Sequence, residues 1–282
     1  MRHYASKALS ANAPHRVGVL LVGAGGTGSQ VLNGLARMDH ALRALGRPGL
    51  FVVVADHDRV SPSNVGRQSF SPGDVGQHKV SVLVTRINRF FALDWEALPV
   101  AIGSGKPDGL AWQRHGLLDM VVGCVDSGRA RHKIGHAFKG WLKDASYWLD
   151  FGNSRSTGQV VLGTNGKVET LARSVTLTEF VDECEGRETA AQELPTVLDL
   201  YPDIATQDDD SEPSCGMAEA LAKQDLYMNV TLADFGLSLL WRLVHQGHIE
   251  HHGLFLNLEQ CLATPLRIDP ETWRRMGWEG RA

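Results

Sequence analysis

The run Val19-Leu-Leu-Val-Gly-Ala-Gly-Gly-Thr-Gly-Ser29 constrains this chain more than any other stretch. A short apolar run followed at once by four glycines within six residues predicts a buried strand, a sharp turn and the first turn of a helix. Gly23, Gly25 and Gly28 keep the G-x-G-x-x-G spacing and Gly26 is additional, so the backbone turns tightly and approaches an anion with no side chain between. Amides at a helix start then face a phosphate. A second apolar run, Val52-Val-Val-Ala-Asp-His-Asp58, ends in acid, where a carboxylate accepts hydrogen bonds from a ribose. These two segments specify a nucleotide without saying which.

From Arg16 onward strand and helix alternate. The pattern predicts strands over 17–22, 51–55, 98–102 and 118–125, a helix over 27–38, and another from an N-cap at Asp74 to about Phe90. That alternation is the signature of an α/β fold: a Rossmann-like, doubly wound, mostly parallel sheet. Shorter strands are predicted over 147–151, 159–163 and 167–171, with Thr164-Asn-Gly166 as a hairpin signal, so the sheet continues with antiparallel strands. Residues 175–215, with the acidic run Asp208-Asp-Asp210, read as a long crossover loop. Apolar helical spacing returns over 217–244 in two pieces, with Leu226, Leu232, Phe235, Leu239 and Leu243 as core positions. Gly253 to Leu258 is predicted as the last strand. Residues 1–15 read as an arm, and 261–282, around Trp273, as a tail packed on the surface.

Composition narrows the function classes. A net charge of −4 and a pI near 6.3 supply no basic stripe for nucleic acid, and no apolar run is long enough to cross a bilayer. The four cysteines, Cys124, Cys184, Cys215 and Cys261, are widely spaced, with no C-x-x-C pair and no secretory leader, which predicts a reduced, cytoplasmic protein without structural zinc. His245, His248, His251 and His252 fall near the end of a helical pattern and read as solvated residues there.

The row after the second strand sharpens the nucleotide. Asp56 and Asp58 are followed by Asn64, Arg67 and Gln68, and eleven residues beyond Gln68 by Lys79. A dehydrogenase needs the acid but has no use for such a row, whereas a triphosphate is held by an arginine fork, a lysine charge and neutral amides. Asp126, after a later strand, lies where open α/β sheets bind ligands, and its carboxylate suits Mg2+ carried by ATP. A plain alternative is that Asp126 caps the helix starting at Ser127, and that Asp58 only forms a turn.

The motifs G-A-G-G-T-G-S, D-x-D-x-V-x-x-S-N-x-x-R-Q, V-G-Q-x-K and C-x-D-S, in this order over residues 17–244, resemble the ThiF/MoeB and ubiquitin-activating (E1-like) superfamily. More narrowly the chain resembles the ThiF-family proteins of plasmid-borne PRTRC clusters. The resemblance implies an adenylation domain over 16–260 in a homodimer, using ATP and Mg2+. Asp56 would hold the ribose, Gly23, Gly25, Gly26 and Gly28 would line the phosphate turn, Asn64, Arg67, Gln68 and Lys79 would grip the triphosphate, and Asp126 would hold the metal. The implied reaction adenylates the C-terminal glycine carboxylate of a small ubiquitin-like protein, with a conjugating-enzyme-like protein as a further partner.

Cys215, in Glu212-Pro-Ser-Cys215, stands where relatives carry a cysteine that takes over the acyl group, and a helix start would favour its thiolate. The bland reading of Cys215 is a small apolar filler. Cys184 is blunted by neighbouring carboxylates, Cys124 reads as core and Cys261 as inert. The chain lacks the two C-x-x-C zinc pairs of the sulfur-transfer branch and the N-terminal arginine segment that crosses the dimer, for which Arg2 and Arg16 are the nearest residues. Three other readings stay open: a catalytically weak nucleotide-binding scaffold, adenylation of another carboxylate or a tRNA base, and an NAD-dependent oxidoreductase.

Overall fold

The computed structural model describes residues 1–10, 13–66, 68–103, 105–106, 118–169, 190–205 and 225–280. In chain order the elements are β1 (His3–Tyr4), β2 (Val17–Val22), α1 (Gly26–Ala44), β3 (Leu50–Ala55), α2 (Lys79–Phe91), β4 (Glu96–Leu98), β5 (Met120–Gly123), α3 (Gly128–Lys139), β6 (Tyr147–Asn153), β7 (Thr157–Thr164), α4 (Val197–Leu200), α5 (Met228–Gln246), β8 (His248–Ile249), β9 (His251–Asn257), β10 (Leu262–Arg267) and α6 (Pro270–Arg275). β2, β3 and β5 are buried along their whole length, as strands covered on both faces must be.

Eight strands form one sheet in the order β10-β9-β7-β6-β5-β2-β3-β4. The five from β4 to β6 are parallel, with Leu20 opposite both Val53 and Val121. β7, β9 and β10 continue it antiparallel. The parallel half puts the carboxyl ends of β2, β3 and β5 side by side, which is where the glycine turn and Asp56 emerge. α5 buries Leu232, Leu239, Leu240 and Leu243. Phe235 and Leu226, expected in the core, are 39% and 42% exposed: Phe235 falls off the face that α5 turns inward, and Leu226 lies in the turn before the helix starts.

Several expected elements shift. Asp74 does not start a long helix: it closes a one-turn 3-10 helix, Pro72–Asp74, taking a bond from the Ser71 amide, and α2 begins five residues later at Lys79. The strand expected at 98–102 is β4 at 96–98. Residues 167–169 are not in a strand, and 170–171 lie outside the described residues. The Thr164 turn instead leads toward residues 190–194: Thr164 Oγ1 accepts from the Leu194 amide and the Val168 amide donates to the Gln192 carbonyl. The β-hairpin turn is at 154–156.

Both ends of the described chain are built in. β1 pairs with β8, His3 opposite Ile249, and His3, Ala5 and Leu9 are buried, so residues 1–10 are fixed on the body and do not reach away from it. Trp273, expected at the surface, is 2% exposed and donates its indole N–H to His252 Nε2 at 2.8 Å. His252 is correspondingly not solvated but fully buried, its Nδ1–H donating to the Leu162 carbonyl at 2.9 Å.

Candidate functional site

The glycine turn is dictated by backbone crowding at two of its glycines. Gly23 takes φ +95°, where a side chain is strained, and a Cβ there would lie 2.6 Å from the Cys124 carbonyl oxygen. At Gly28 it would lie 2.0 Å from the Gly23 carbonyl oxygen, so α1 can cross the end of β2 only without a side chain. Gly28→Ala is therefore expected to cost about 2 kcal/mol of stability, read by urea unfolding, since overpacking a closed contact forces the backbone apart. A Cβ at Gly25, by contrast, would meet nothing within 4 Å. Gly25 is the N-cap of α1 and no side chain caps the helix, which leaves its first amides without a side-chain acceptor. A helix start left uncapped in this way is of the kind that accepts an anion.

Asp56 follows β3 and holds the loop edges together: Oδ2 accepts from the Ala24 amide at 2.6 Å and Oδ1 from the Asp58 amide at 2.8 Å. A carboxylate offers about four lone-pair positions, so each oxygen retains capacity for a ribose hydroxyl. Lys79, the first residue of α2, is tied to Asp58 twice: its amide donates to the Asp58 carbonyl at 3.0 Å, and Nζ to Oδ2 at 2.8 Å. Lys79 is 8% exposed while the Asp58 side chain is half exposed, so a buried cation is held at the rim by a carboxylate that water still reaches. Asp58 is thus the anchor of Lys79 and not a bare turn-former.

Asn64 is buried and its Oδ1 accepts from the Ser61 amide at 2.9 Å, so its side chain is held in place by the turn that carries it. Gln68 has its Oε1 buried with no partner among the described residues. Arg67, Cys184, Cys215 and the acidic run 208–210 lie outside the described residues.

Asp126 is exposed and has no hydrogen bond or ion pair among the described residues. It does not cap α3: the cap is Ser127, whose Oγ accepts from the Ala130 amide at 3.1 Å. Its loop backs onto the glycine turn through the Gly23–Cys124 contact. A free carboxylate beside an anion cradle fits the donor chemistry of Mg2+, which takes one or two carboxylates and completes its shell with phosphate and water. Cys124 is half-buried, and burial, reinforced by Asp150, pushes its thiol well above the ordinary value, so it is no nucleophile. Cys261 is exposed.

Two groups escaped the sequence reading. Thr27 in α1, Asn153 at the end of β6 and Asn229 in α5 meet at the mouth of the turn, with Thr27 Oγ1 donating to Asn229 Oδ1 at 2.9 Å; a Cβ at Gly26 would strike the Asn229 amide. An asparagine opening an apolar helix was the available signal. The other is the buried pair Arg131–Asp150, Nε to Oδ2 3.0 Å, which pairs a residue of α3 with one of β6. Burial raises the Asp150 carboxyl above its usual range, and Arg131 opposes that rise.

Among the described residues the one cluster of three ligand-bearing side chains is Asp56, His57 and Asp58; the histidines near the end of α5 form none. No helix among them is long and apolar enough to cross a membrane.

The ThiF family model matches residues 10–236. The chain belongs to the ThiF family. Among solved structures, this ThiF-family chain is similar to E. coli MccB with MccA-N7isoASN, at 15% identity and TM-score 0.53, over 90% of this chain and 65% of that one. It is similar to PaaA at 15% identity and TM-score 0.53, over 89% and 64%, and to E. coli MccB with ATP at 14% and 0.52, over 89% and 64%. The ThiF-family chain thus spans just under two thirds of the length of these structures. No curated protein matches it by sequence. The likeness establishes the ThiF-type Rossmann-like fold.

Proposed function

We propose that this chain is an ATP-dependent adenylating enzyme of the E1-like type, acting on the C-terminal carboxylate of a small ubiquitin-like protein ending in glycine. The observation that carries it is Lys79, a buried ammonium anchored by Asp58 at the strand edge where the open Gly25 turn and Asp56 also lie. A dinucleotide site has no use for that cation, whereas the leaving pyrophosphate of ATP does.

In this reading Asp56 orients the ribose, Gly23, Gly25, Gly26 and Gly28 let the backbone amides meet phosphate, and Asn64, Arg67, Gln68 and Lys79 grip the triphosphate. Asp126 holds Mg2+, which when bound neutralises phosphate charge. The acceptor carboxylate oxygen attacks the α-phosphorus, the bond to the bridging oxygen breaks, and pyrophosphate leaves with the electron pair. The products are an acyl-adenylate and pyrophosphate. The chain's contribution is positioning and charge neutralisation, since neither step needs a covalent enzyme group. The Cys215 thiolate then attacks the acyl carbon, the bond from that carbon to the phosphate oxygen breaks, and AMP leaves with the electron pair, giving a thioester. The wider reading is a cytoplasmic homodimer of the PRTRC type, with residues 16–260 as its catalytic domain, 175–215 as crossover loop and a conjugating-enzyme-like protein downstream.

A second acceptor class is favoured by one finding: the similar MccB has been solved with MccA, including an N-formylated form. A peptide carboxylate is therefore the alternative acceptor. ATP–pyrophosphate exchange decides between them. The ubiquitin-like protein is expected to stimulate exchange and its form lacking the terminal glycine is not; Cys215→Ala is expected to retain exchange. Stimulation by a short peptide alone would move the assignment to the second class; absence of exchange with every carboxylate tried would remove adenylation, and NAD binding in preference to ATP would redirect the reading to an oxidoreductase.

A further inference from the structure

Asp126 has no side-chain partner of its own among the described residues, so something else must fix where it points. The loop before it is held by one residue. Arg131, five positions on in α3, folds back beneath the loop and donates from Nη2 to the Val125 carbonyl at 2.7 Å and to the Phe151 carbonyl at 2.9 Å, while Nε donates to Asp150 Oδ2 at 3.0 Å. Arg131 is 5% exposed and Asp150 1%. One guanidinium thus clamps the peptide immediately ahead of Asp126 to the end of β6.

The same loop is a wall of the phosphate turn. The Cys124 carbonyl is the group that forbids a side chain at Gly23, and the Cys124 amide donates to the Val22 carbonyl at 2.8 Å. Moving Val125 therefore moves both the turn's wall and the aspartate. The pair also has room made for it: a Cβ at Gly123 would lie 2.8 Å from Asp150 Oδ1 and 2.9 Å from Trp148 Nε1. Burying two charges is not an efficient way to stabilise a fold, because apolar residues of similar volume do as well or better. What an apolar pair cannot do is bind two carbonyls on different segments in one plane, and neither can a lysine.

We propose that Arg131, oriented by Asp150, is a positioning residue that sets the metal-holding geometry of Asp126. This rests on the reading of Asp126 as the residue that holds the metal of metal–ATP. The test compares binding of Mn2+–ATP, followed by electron paramagnetic resonance of the bound Mn2+, with binding of ATP in excess chelator, both without acceptor or turnover. Arg131→Lys is expected to weaken Mn2+–ATP about tenfold, as removal of a ligand's supporting contact does, and to leave metal-free ATP unchanged. Asp126→Ala is expected to show the same selective loss, and the double variant to be no worse than Asp126→Ala, because the two act in series. Should Arg131→Lys not fold, Asp150→Asn, which keeps an acceptor oxygen, is read in the same way with a smaller loss.

Equal weakening of both ligands, additive losses in the double variant, or no change in the metal-dependent term would each make Arg131 merely structural and overturn the proposal. A wild type without metal-dependent ATP binding would overturn it too. Wild-type protein that binds Mn2+–ATP but supports no pyrophosphate exchange would leave Arg131 in this role and remove only the adenylation reading.

Discussion

Lys79→Met is expected to lower ATP–pyrophosphate exchange about 10²–10³-fold, the usual consequence of deleting one well-placed charge from a site where negative charge develops. The methionine occupies the buried channel of the lysine stem, so packing is retained. Asp58, half exposed, is rehydrated when its partner goes, and stability changes by less than about 1 kcal/mol. Asp126→Ala is expected to lose as much activity with still less effect on stability, since Asp126 is exposed and supports nothing else. Both measurements need the melting curve beside the exchange rate. A loss of activity below about threefold in Lys79→Met, with an intact fold, would take Lys79 out of the site.

Mild acid is expected to unfold the protein through two histidines. In His252, Nε2 accepts the Trp273 N–H, and in His3, Nε2 lies 3.1 Å from the Tyr147 hydroxyl, which itself accepts the Ser6 amide at 2.9 Å. Each Nδ1 faces a carbonyl, Leu162 for His252 and Ala191 for His3. Both rings are thus neutral with the proton on Nδ1, and protonating Nε2 would break a buried bond. Burial lowers both to about 4, from an unfolded value of 6.5. The unfolded chain therefore binds more protons between pH 6.5 and 4, so stability is fully present above 6.5 and falls as the pH drops through that window. The loss is about 2 kcal/mol per ring by pH 5 and about 3 by pH 4. Burial raises Asp119 and Asp150, which act in the opposite direction, so the informative quantity is the slope removed by substitution. Urea unfolding at pH 7 and pH 5 is expected to show a smaller difference in His252→Phe than in wild type. An unchanged slope would mean that His252 does not titrate in this window.

The central sheet was legible because strands covered on both faces must be apolar throughout: the 17–22 run is β2 residue for residue, and 51–55 is β3 short of Leu50. β10 escaped because it is an edge strand. Leu262-Ala-Thr-Pro-Leu-Arg267 is exposed at most positions, lacks alternation, and carries a proline that only an edge tolerates. The strand expected at 167–171 came from a turn signal, Thr164-Asn-Gly166, whose Gly166 does take φ +73°, but which leads to 190–194 and not to a hairpin. Local turn chemistry fixes the bend and leaves the partner open. The candidate site divides in the same way. Its glycines fall within six residues and Asp56 ends the next apolar run, so the spacing of two neighbouring parallel strands brought them together. Asp58 holding Lys79 across 21 residues, Asn229 over Gly26, and Arg131 under Val125 depend on which strand ends meet, which is a property of register.

The pairing of His3 with Ile249 has a consequence for how the molecule is made. During synthesis β1 emerges ahead of its partner strand, which follows 244 residues later. At about 5–20 residues per second, that is roughly 12–50 s during which the five parallel strands can close around the nucleotide turn while the edge of β1 that pairs with β8 stays open. A chain stalled before residue 249 would therefore hold His3 only through Tyr147 and Ala191, with the strand edge of β1 still open to any other strand that reaches it.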